Sequence, residues 1–151
     1  MLTVYADRDT FLNALLNSLN RARGSKIAFG KYSPAPLPSN SSIMCALRRL
    51  IDEGSELLLL IRQPRLEDEW IASVRELLNN DRADIAVFAQ DCPYFPPAVV
   101  IDETEVFLHI SWSSDVAPNN PYLGIHVNGA GVELLAKTLR RSLEVAARSC
   151  R

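Results

Sequence analysis

The chain has 151 residues, of which 48% are hydrophobic and 23% charged, and its formal net charge is −2. This size and composition predict a single globular domain over residues 1–151. Nucleic-acid-binding proteins usually carry a basic footprint, which is missing here, so we do not expect a nucleic-acid partner. No apolar run approaches the roughly 20 residues that span a bilayer, and no signal peptide is visible, which predicts a cytoplasmic protein without a membrane partner.

The first part of the chain alternates short strands with amphipathic helices. Leu2 to Tyr5 is a strand candidate, and Asp7 or Asp9 can cap the first helix, whose apolar residues recur at helical spacing until Gly24. The pattern then predicts, in order, a strand over 26–32, a helix over 43–51, a strand over 57–61, a helix over 66–78 and a strand over 85–89.

A hairpin follows, in which two apolar strands are joined by a short acidic turn at Glu103-Thr104. With those two residues as the loop, Ile101 is predicted to pair with Val106, and Ala98 with His109. Because side chains alternate along a strand, one face is predicted to be wholly apolar: Val99, Ile101, Val106, Leu108, Ile110 and Trp112. The other predicted face is mixed: Ala98, Val100, Asp102, Glu105, Phe107, His109 and Ser111.

A strand over 122–127 and a long amphipathic helix over 132–147 complete the chain. Helices that alternate with apolar strands indicate an α/β fold. The hairpin adds an antiparallel component. We therefore predict a mixed, mostly parallel sheet with helices on both faces.

Several kinds of chemistry can be set aside from the sequence. No glycine-rich phosphate-binding motif occurs, and a proline-rich loop follows Tyr32 where glycines would be needed. The two histidines, His109 and His126, have no carboxylate or cysteine at ligand spacing, and the three cysteines, Cys45, Cys92 and Cys150, are far apart. We predict no metal, no cofactor and reduced cysteines.

A hydrolytic triad of Asp102, His109 and Ser111 is also disfavoured, although the three residues share one predicted face. In the predicted hairpin Asp102 lies about four positions from His109, roughly 13 Å at 3.4 Å per residue. That separation is too long for the hydrogen bond that a triad needs.

The hairpin carries a resemblance to a known family. This part of the chain resembles the phospholipase D superfamily in the order of its segments: a strand ending in Val-Val-Ile-Asp, a turn, a strand Glu-Val-Phe-Leu and a segment Ser-Trp-Ser-Ser. The segment Asn-Asn-Pro-Tyr-Leu-Gly-Ile-His-Val and a long helix follow downstream, as in that family. As motif the resemblance covers about residues 95–128. The order of elements is compatible with that fold along the whole chain.

The family signature is HxKxxxxD followed by GSxxN, in which the histidine is the nucleophile and the lysine holds the phosphate. Aligned on Asp102, the histidine position is Phe95 and the lysine position is Pro97. The glycine, serine and asparagine positions become His109, Ile110 and Ser113. The resemblance therefore implies the family's scaffold without its catalytic residues, as in the effector domain of TrmB-type archaeal regulators. The winged helix that precedes that domain is not expected here.

The function expected from the sequence is a non-catalytic module that binds a small ligand or regulates a partner. We expect a homodimer, because family members with one motif per chain typically pair. One alternative is a divergent phosphodiesterase or nuclease working through His109, the one candidate catalytic residue. Another is a structural subunit of a larger assembly.

In open α/β sheets, ligands bind where the carboxyl ends of the strands meet the loops. We predict a site for a small polar or anionic ligand there. Its predicted residues are Lys31, Tyr32, Ser33, Arg62, Gln90, Asp102, His109, Ser111, Ser113 and Asn120.

Overall fold

A computed structural model describes residues 1–32, 42–62, 75–76, 79, 81–88, 97–111 and 122–149. The helices with described bounds are α1 (Arg8–Arg21), α2 (Ser42–Asp52) and α3 (Glu133–Ser149). The strands are β1 (Leu2–Tyr5), β2 (Lys26–Tyr32), β3 (Glu56–Arg62), β4 (Ala83–Phe88), β5 (Ala98–Ile101), β6 (Glu105–Ser111) and β7 (Tyr122–Asn128). The predicted helix over 66–78 lies almost wholly outside the described residues.

Local signals explain where α1 begins and where α1 and α2 end. Of the two candidate caps for α1, Asp7 is the N-cap residue. Its carboxylate accepts hydrogen bonds from the amide and the hydroxyl of Thr10, at 3.0 and 2.7 Å. Gly24, which follows α1, and Gly54, which follows α2, have φ angles of 56° and 103°. Glycine adopts such angles without steric cost, so both positions turn the chain into the next strand.

The strands form one mixed sheet in the order β1-β7-β6-β5-β2-β3-β4. Only the β2–β3 and β3–β4 pairs are parallel in this sheet, and the other four pairs are antiparallel. The prediction of a mixed sheet is confirmed, but the prediction that it is mostly parallel is wrong. The β5–β6 hairpin inserts between β2 and β7, and β1 runs back along β7, so most neighbours are antiparallel.

Helices cover both faces of the sheet, as predicted. On one face, α1 and α2 enclose a core around three aromatic side chains, Phe11, Phe29 and Phe107. On the other face, α3 packs through Ala136 and Leu143 on residues that include Ala28, Val100 and Val106. None of the described helices is long and apolar enough to cross a membrane.

The hairpin differs from its predicted register by one residue. Its loop has three residues, Asp102 to Thr104, and it begins with a left-handed residue, Asp102, whose φ is 53°. Ile101 consequently pairs with Glu105, and Ala98 with Leu108. Aspartate adopts the left-handed conformation more readily than most residues, so the chain can form a three-residue loop here.

A one-residue slip exchanges the two faces of a strand. Phe107 therefore lies beside Val99 on the face covered by α1 and α2. Val106 and Leu108 lie beside Val100 on the face covered by α3. The two predicted face assignments for the second strand of the hairpin are wrong, because they assumed a two-residue turn.

Candidate functional site

The carboxyl ends of β2, β3, β4 and β6 lie at one edge of the sheet. The first three strands are mutually parallel, and β6 runs in the same direction because β5 is antiparallel to both β2 and β6. This edge brings the backbones of five predicted site residues together: Lys31, Tyr32, Arg62, His109 and Ser111. Four other predicted site residues lie outside the described residues: Ser33, Gln90, Ser113 and Asn120.

Asp102 does not belong to this edge. Its carboxylate Oδ1 accepts a hydrogen bond from the amide of Lys26, at 2.8 Å, and its own amide donates to the Lys26 carbonyl, also at 2.8 Å. Lys26 begins β2, so Asp102 lies at the opposite edge of the sheet. It is five positions along the chain, or about 17 Å, from Pro97, which contacts His109 at the carboxyl edge. Its inclusion among the predicted ligand-binding residues is therefore corrected, since its contacts hold the hairpin loop against β2.

His109 is the predicted site residue whose side chain the structure describes at the carboxyl edge. It pairs with Gly124 of β7, and its amide donates to the carbonyl of Pro97, at 3.0 Å. The imidazole packs against the rings of Tyr122 and Phe11, with centroid separations of 4.9 and 6.3 Å. In the part of the chain that the structure describes, His109 Nε2 is buried and has no hydrogen-bond partner.

The aromatic surroundings of His109 depend on Gly124. A Cβ atom at this position would lie 2.5 Å from Cδ2 of Phe11, so a side chain there would displace the Phe11 ring. The glycine thus lets Phe11 of α1 approach the sheet closely enough to touch Phe107, His109 and Tyr122.

Burial sets the electrostatics of this cluster. Burial, and next the positive charge of Arg8, lower the pKa of His109 below its ordinary value of 6.5. Burial also raises the pKa of the Tyr122 hydroxyl. Both side chains are therefore neutral at pH 7, and they offer hydrogen-bond donors and acceptors without a formal charge.

The second histidine, His126, forms a hydrogen bond with Glu105 and a ring contact with Phe107. His126 Nε2 lies 3.0 Å from Glu105 Oε1, and the His126 ring stacks on Phe107 with centroids 4.0 Å apart. Ser18 of α1 donates to the same Glu105 oxygen, at 2.9 Å. The hydrogen bond with His126 is the largest influence that lowers the pKa of Glu105.

The Glu105–His126 pair was not predicted from the sequence. It depends on the register between β6 and β7, which places Phe107 opposite His126. Residues 112–121 separate these strands, so no short-range spacing signals the contact. Within the described residues no group of three or more histidines, cysteines or carboxylates could hold a metal ion.

No family model and no curated protein matches this chain. Similar solved structures include NucT from Helicobacter pylori, with 16% identity and a TM-score of 0.68 over 97% of this chain and 96% of that one. The phospholipase D family member Nuc from Salmonella typhimurium has 12% identity and a TM-score of 0.71, over 100% and 96% of the two chains.

The archaeal chromatin protein TrmBL2, whose structure shows a novel mode of DNA binding, is also similar. It has 12% identity and a TM-score of 0.71, and the match covers 99% of this chain but 53% of that one. Together the comparisons show that the chain has the phospholipase D-like fold that its hairpin predicted.

Proposed function

On this phospholipase D-like scaffold, we propose that the chain is a non-catalytic module that binds a small polar or anionic ligand beside His109 and acts in regulation or interaction. The observation that carries the proposal is His109 Nε2, which is buried and has no hydrogen-bond partner among the described residues. Leaving such a group unpaired costs about 1–3 kcal/mol. A ligand that pairs with the nitrogen recovers this free energy on binding.

The surroundings of His109 fit a small ligand with hydroxyl or phosphate oxygens. A neutral imidazole offers one donor and one acceptor, and the Tyr122 hydroxyl offers both. Phe11 and the Tyr122 ring supply apolar surface next to these groups. Few polar groups among apolar walls are typical of small-molecule sites in proteins.

Three features favour binding over catalysis. In the alignment on Asp102, the lysine position of the family falls on Pro97, whose carbonyl contacts the His109 amide and which supplies no cation. Glu105 is held by His126, Asp102 lies at the opposite edge, and the Asp7 carboxylate accepts hydrogen bonds from Thr10. A histidine that acts as nucleophile or base is normally oriented by a third group. No described residue supplies one to His109.

Nucleic acid is not the ligand that we propose, because the net charge of −2 gives no electrostatic attraction for a polyanion. The DNA binding stated for the archaeal chromatin protein belongs to a chain of which this one covers 53%.

An NMR titration tests the proposal, because the chain has two histidines with different surroundings. Inorganic phosphate and a hexose would be added separately up to about 10 mM, while the ring carbon–proton signals of both histidines are followed; this range detects a dissociation constant near 1 mM. We expect a saturable shift of the His109 signal with at least one ligand. The His126 signal serves as the internal control and should stay in place.

A His109→Phe variant keeps an aromatic ring in the cluster and removes both nitrogens. It should fold like the wild type and lose the binding. The proposal is wrong if neither ligand moves the His109 signal, or if His109→Phe binds as well as the wild type.

A further inference from the structure

The first strand ends beside His109. Strands β1 and β6 run in the same direction, because both are antiparallel to β7. Tyr5, the last residue of β1, pairs with Gly124 of β7, and Gly124 pairs on its other side with His109. Helix α1 begins at Arg8, shortly after this strand ends. The first turn of α1 therefore lies at the carboxyl edge of the sheet.

The position of Arg8 on α1 directs this residue toward the sheet. Phe11 lies three positions further along the helix, and residues three apart share one helix face. Phe11 is buried, and its ring contacts those of His109 and Tyr122, with centroid separations of 6.3 and 6.0 Å. Arg8 thus lies one turn before Phe11 on the side of the helix that faces His109.

Arg8 differs from the other half-buried arginines among the described residues, Arg49 and Arg140. Arg49 forms an ion pair with Glu53, and Arg140 donates hydrogen bonds to two backbone carbonyls. In the part of the chain that the structure describes, the Arg8 guanidinium has neither an ion pair nor a hydrogen bond. A charged group that is partly removed from water without gaining a partner is costly, so Arg8 favours an anion beside it.

The charge of Arg8 acts on both polar rings of the site. Burial lowers the pKa of His109 most, and the charge of Arg8 lowers it further. The same charge opposes the rise that burial causes in the pKa of the Tyr122 hydroxyl. Asp7 acts on Tyr122 in the opposite direction to Arg8 and more weakly, and its carboxylate is bonded to Thr10. The cluster therefore has a cation that no carboxylate among the described residues pairs with.

We propose that the ligand beside His109 is an oxyanion, either a carboxylate or a phosphate group, and that Arg8 pairs with its charge. This assignment rests on the proposed ligand site, and it excludes a neutral sugar as the ligand. The planar guanidinium presents a fork of donors that matches two oxygens of such a group. His109, with its proton on Nε2, donates to a further oxygen. The alignment puts Pro97 where the family has its lysine, and α1 supplies the positive charge instead.

The histidine NMR titration tests this assignment when it is run with inorganic phosphate, acetate and a hexose on two arginine variants. Arg8→Gln removes the cation of the site. Arg141→Gln is the matched control, because it removes an exposed arginine of α3 and changes the net charge by the same amount. We expect phosphate or acetate, but not the hexose, to shift the His109 signal of the wild type.

Arg8→Gln should bind that anion about 10- to 100-fold more weakly, because hydrogen bonds to a charged group are lost. Arg141→Gln should bind it like the wild type. Arg8→Lys keeps the charge but lacks the fork of donors, so it should bind several-fold more weakly than the wild type and more tightly than Arg8→Gln. If Arg8→Gln does not fold, Arg8→Lys decides, and wild-type affinity in that variant contradicts the role of Arg8.

The results separate this assignment from the ligand site itself. Binding of the hexose without either anion, or binding of the anion by Arg8→Gln as tightly as by Arg141→Gln, would overturn the role of Arg8 and leave the site beside His109 in place. If none of the three compounds shifts the His109 signal of the wild type, both the site and the role of Arg8 are wrong.

Discussion

His109 and His126 lie on neighbouring strands, β6 and β7, and on the same face of the sheet, but their surroundings differ. His126 is held between Glu105 and the Phe107 ring, and its described contacts account for its position in the core. His109 has aromatic neighbours but no described partner for Nε2. This difference is the reason for assigning the ligand to His109.

Acid should destabilise the protein in two separate pH ranges, one for His109 and one for Glu105. Burial lowers the pKa of His109, so the unfolded chain binds more protons than the folded chain just below pH 6.5. The stability linked to His109 is therefore complete above pH 6.5 and is lost as the pH falls through the folded pKa. The pKa of Glu105 is lowered chiefly by its hydrogen bond with His126, so its contribution is complete above pH 4.5 and is lost below that value.

Urea unfolding of the wild type, His109→Phe and Glu105→Gln, from neutral pH to about pH 3, measures both contributions. His109→Phe should lack the loss that begins below pH 6.5. Glu105→Gln should lose less stability than the wild type below pH 4.5, and the loss that remains includes that of Asp7, whose pKa is lowered by its hydrogen bonds with Thr10. Each variant is the control for the other. Identical pH profiles for all three proteins would contradict these assignments.

At the level of single residues, the sequence correctly placed His109 at the end of a strand but misplaced Asp102. Asp102 is the one residue that matches the family signature in the alignment, and this match favoured including it in the site. Asp102 lies beside Lys26 at the far edge. The predicted two-residue turn likewise separates Asp102 from His109 by about four positions along the hairpin, roughly 13 Å, so its place away from the carboxyl edge follows from the hairpin whichever turn it has.

At the level of elements, Arg140 connects α3 to the edge opposite His109. Its guanidinium Nη2 donates to the carbonyls of Lys26 and Asp102, at 2.8 and 2.7 Å. Arg140→Ala removes both hydrogen bonds, and we expect the free energy of unfolding to fall by about 1–2 kcal/mol. The neighbouring Arg141 is exposed, so Arg141→Ala should change stability by less than about 0.5 kcal/mol. Equal effects in urea unfolding would show that the two hydrogen bonds do not stabilise α3.

Most helices and strands that the structure describes were predictable, because their signals are local. The apolar spacing of α1 and α2, the cap at Asp7 and the glycines after both helices agree with the structure. The register of the β5–β6 hairpin was not predictable to the residue. Loops of two and three residues share the same apolar flanks, and a shift of one residue exchanges the faces of β6.

At the level of the whole molecule, the α/β class and the helices on both faces followed from the alternation of elements. The strand order did not. Helical connections predict parallel neighbours, and β2, β3 and β4 are parallel neighbours. The pairing of β1 with β7 joins residues more than a hundred positions apart, and no local pattern predicts such a contact. This long-range pairing adds one of the four antiparallel pairs, and the β2–β5, β5–β6 and β6–β7 pairs supply the other three.

We propose that this phospholipase D-like scaffold binds a ligand without cleaving it. The most direct measurement is the release of p-nitrophenol from bis-p-nitrophenyl phosphate by the wild type and by His109→Ala, at equal concentrations near neutral pH. We predict that both proteins release it no faster than buffer, because the lysine position of the family holds Pro97 and no described group orients His109. Turnover by the wild type that disappears in His109→Ala would contradict the claim and identify His109 as a catalytic residue.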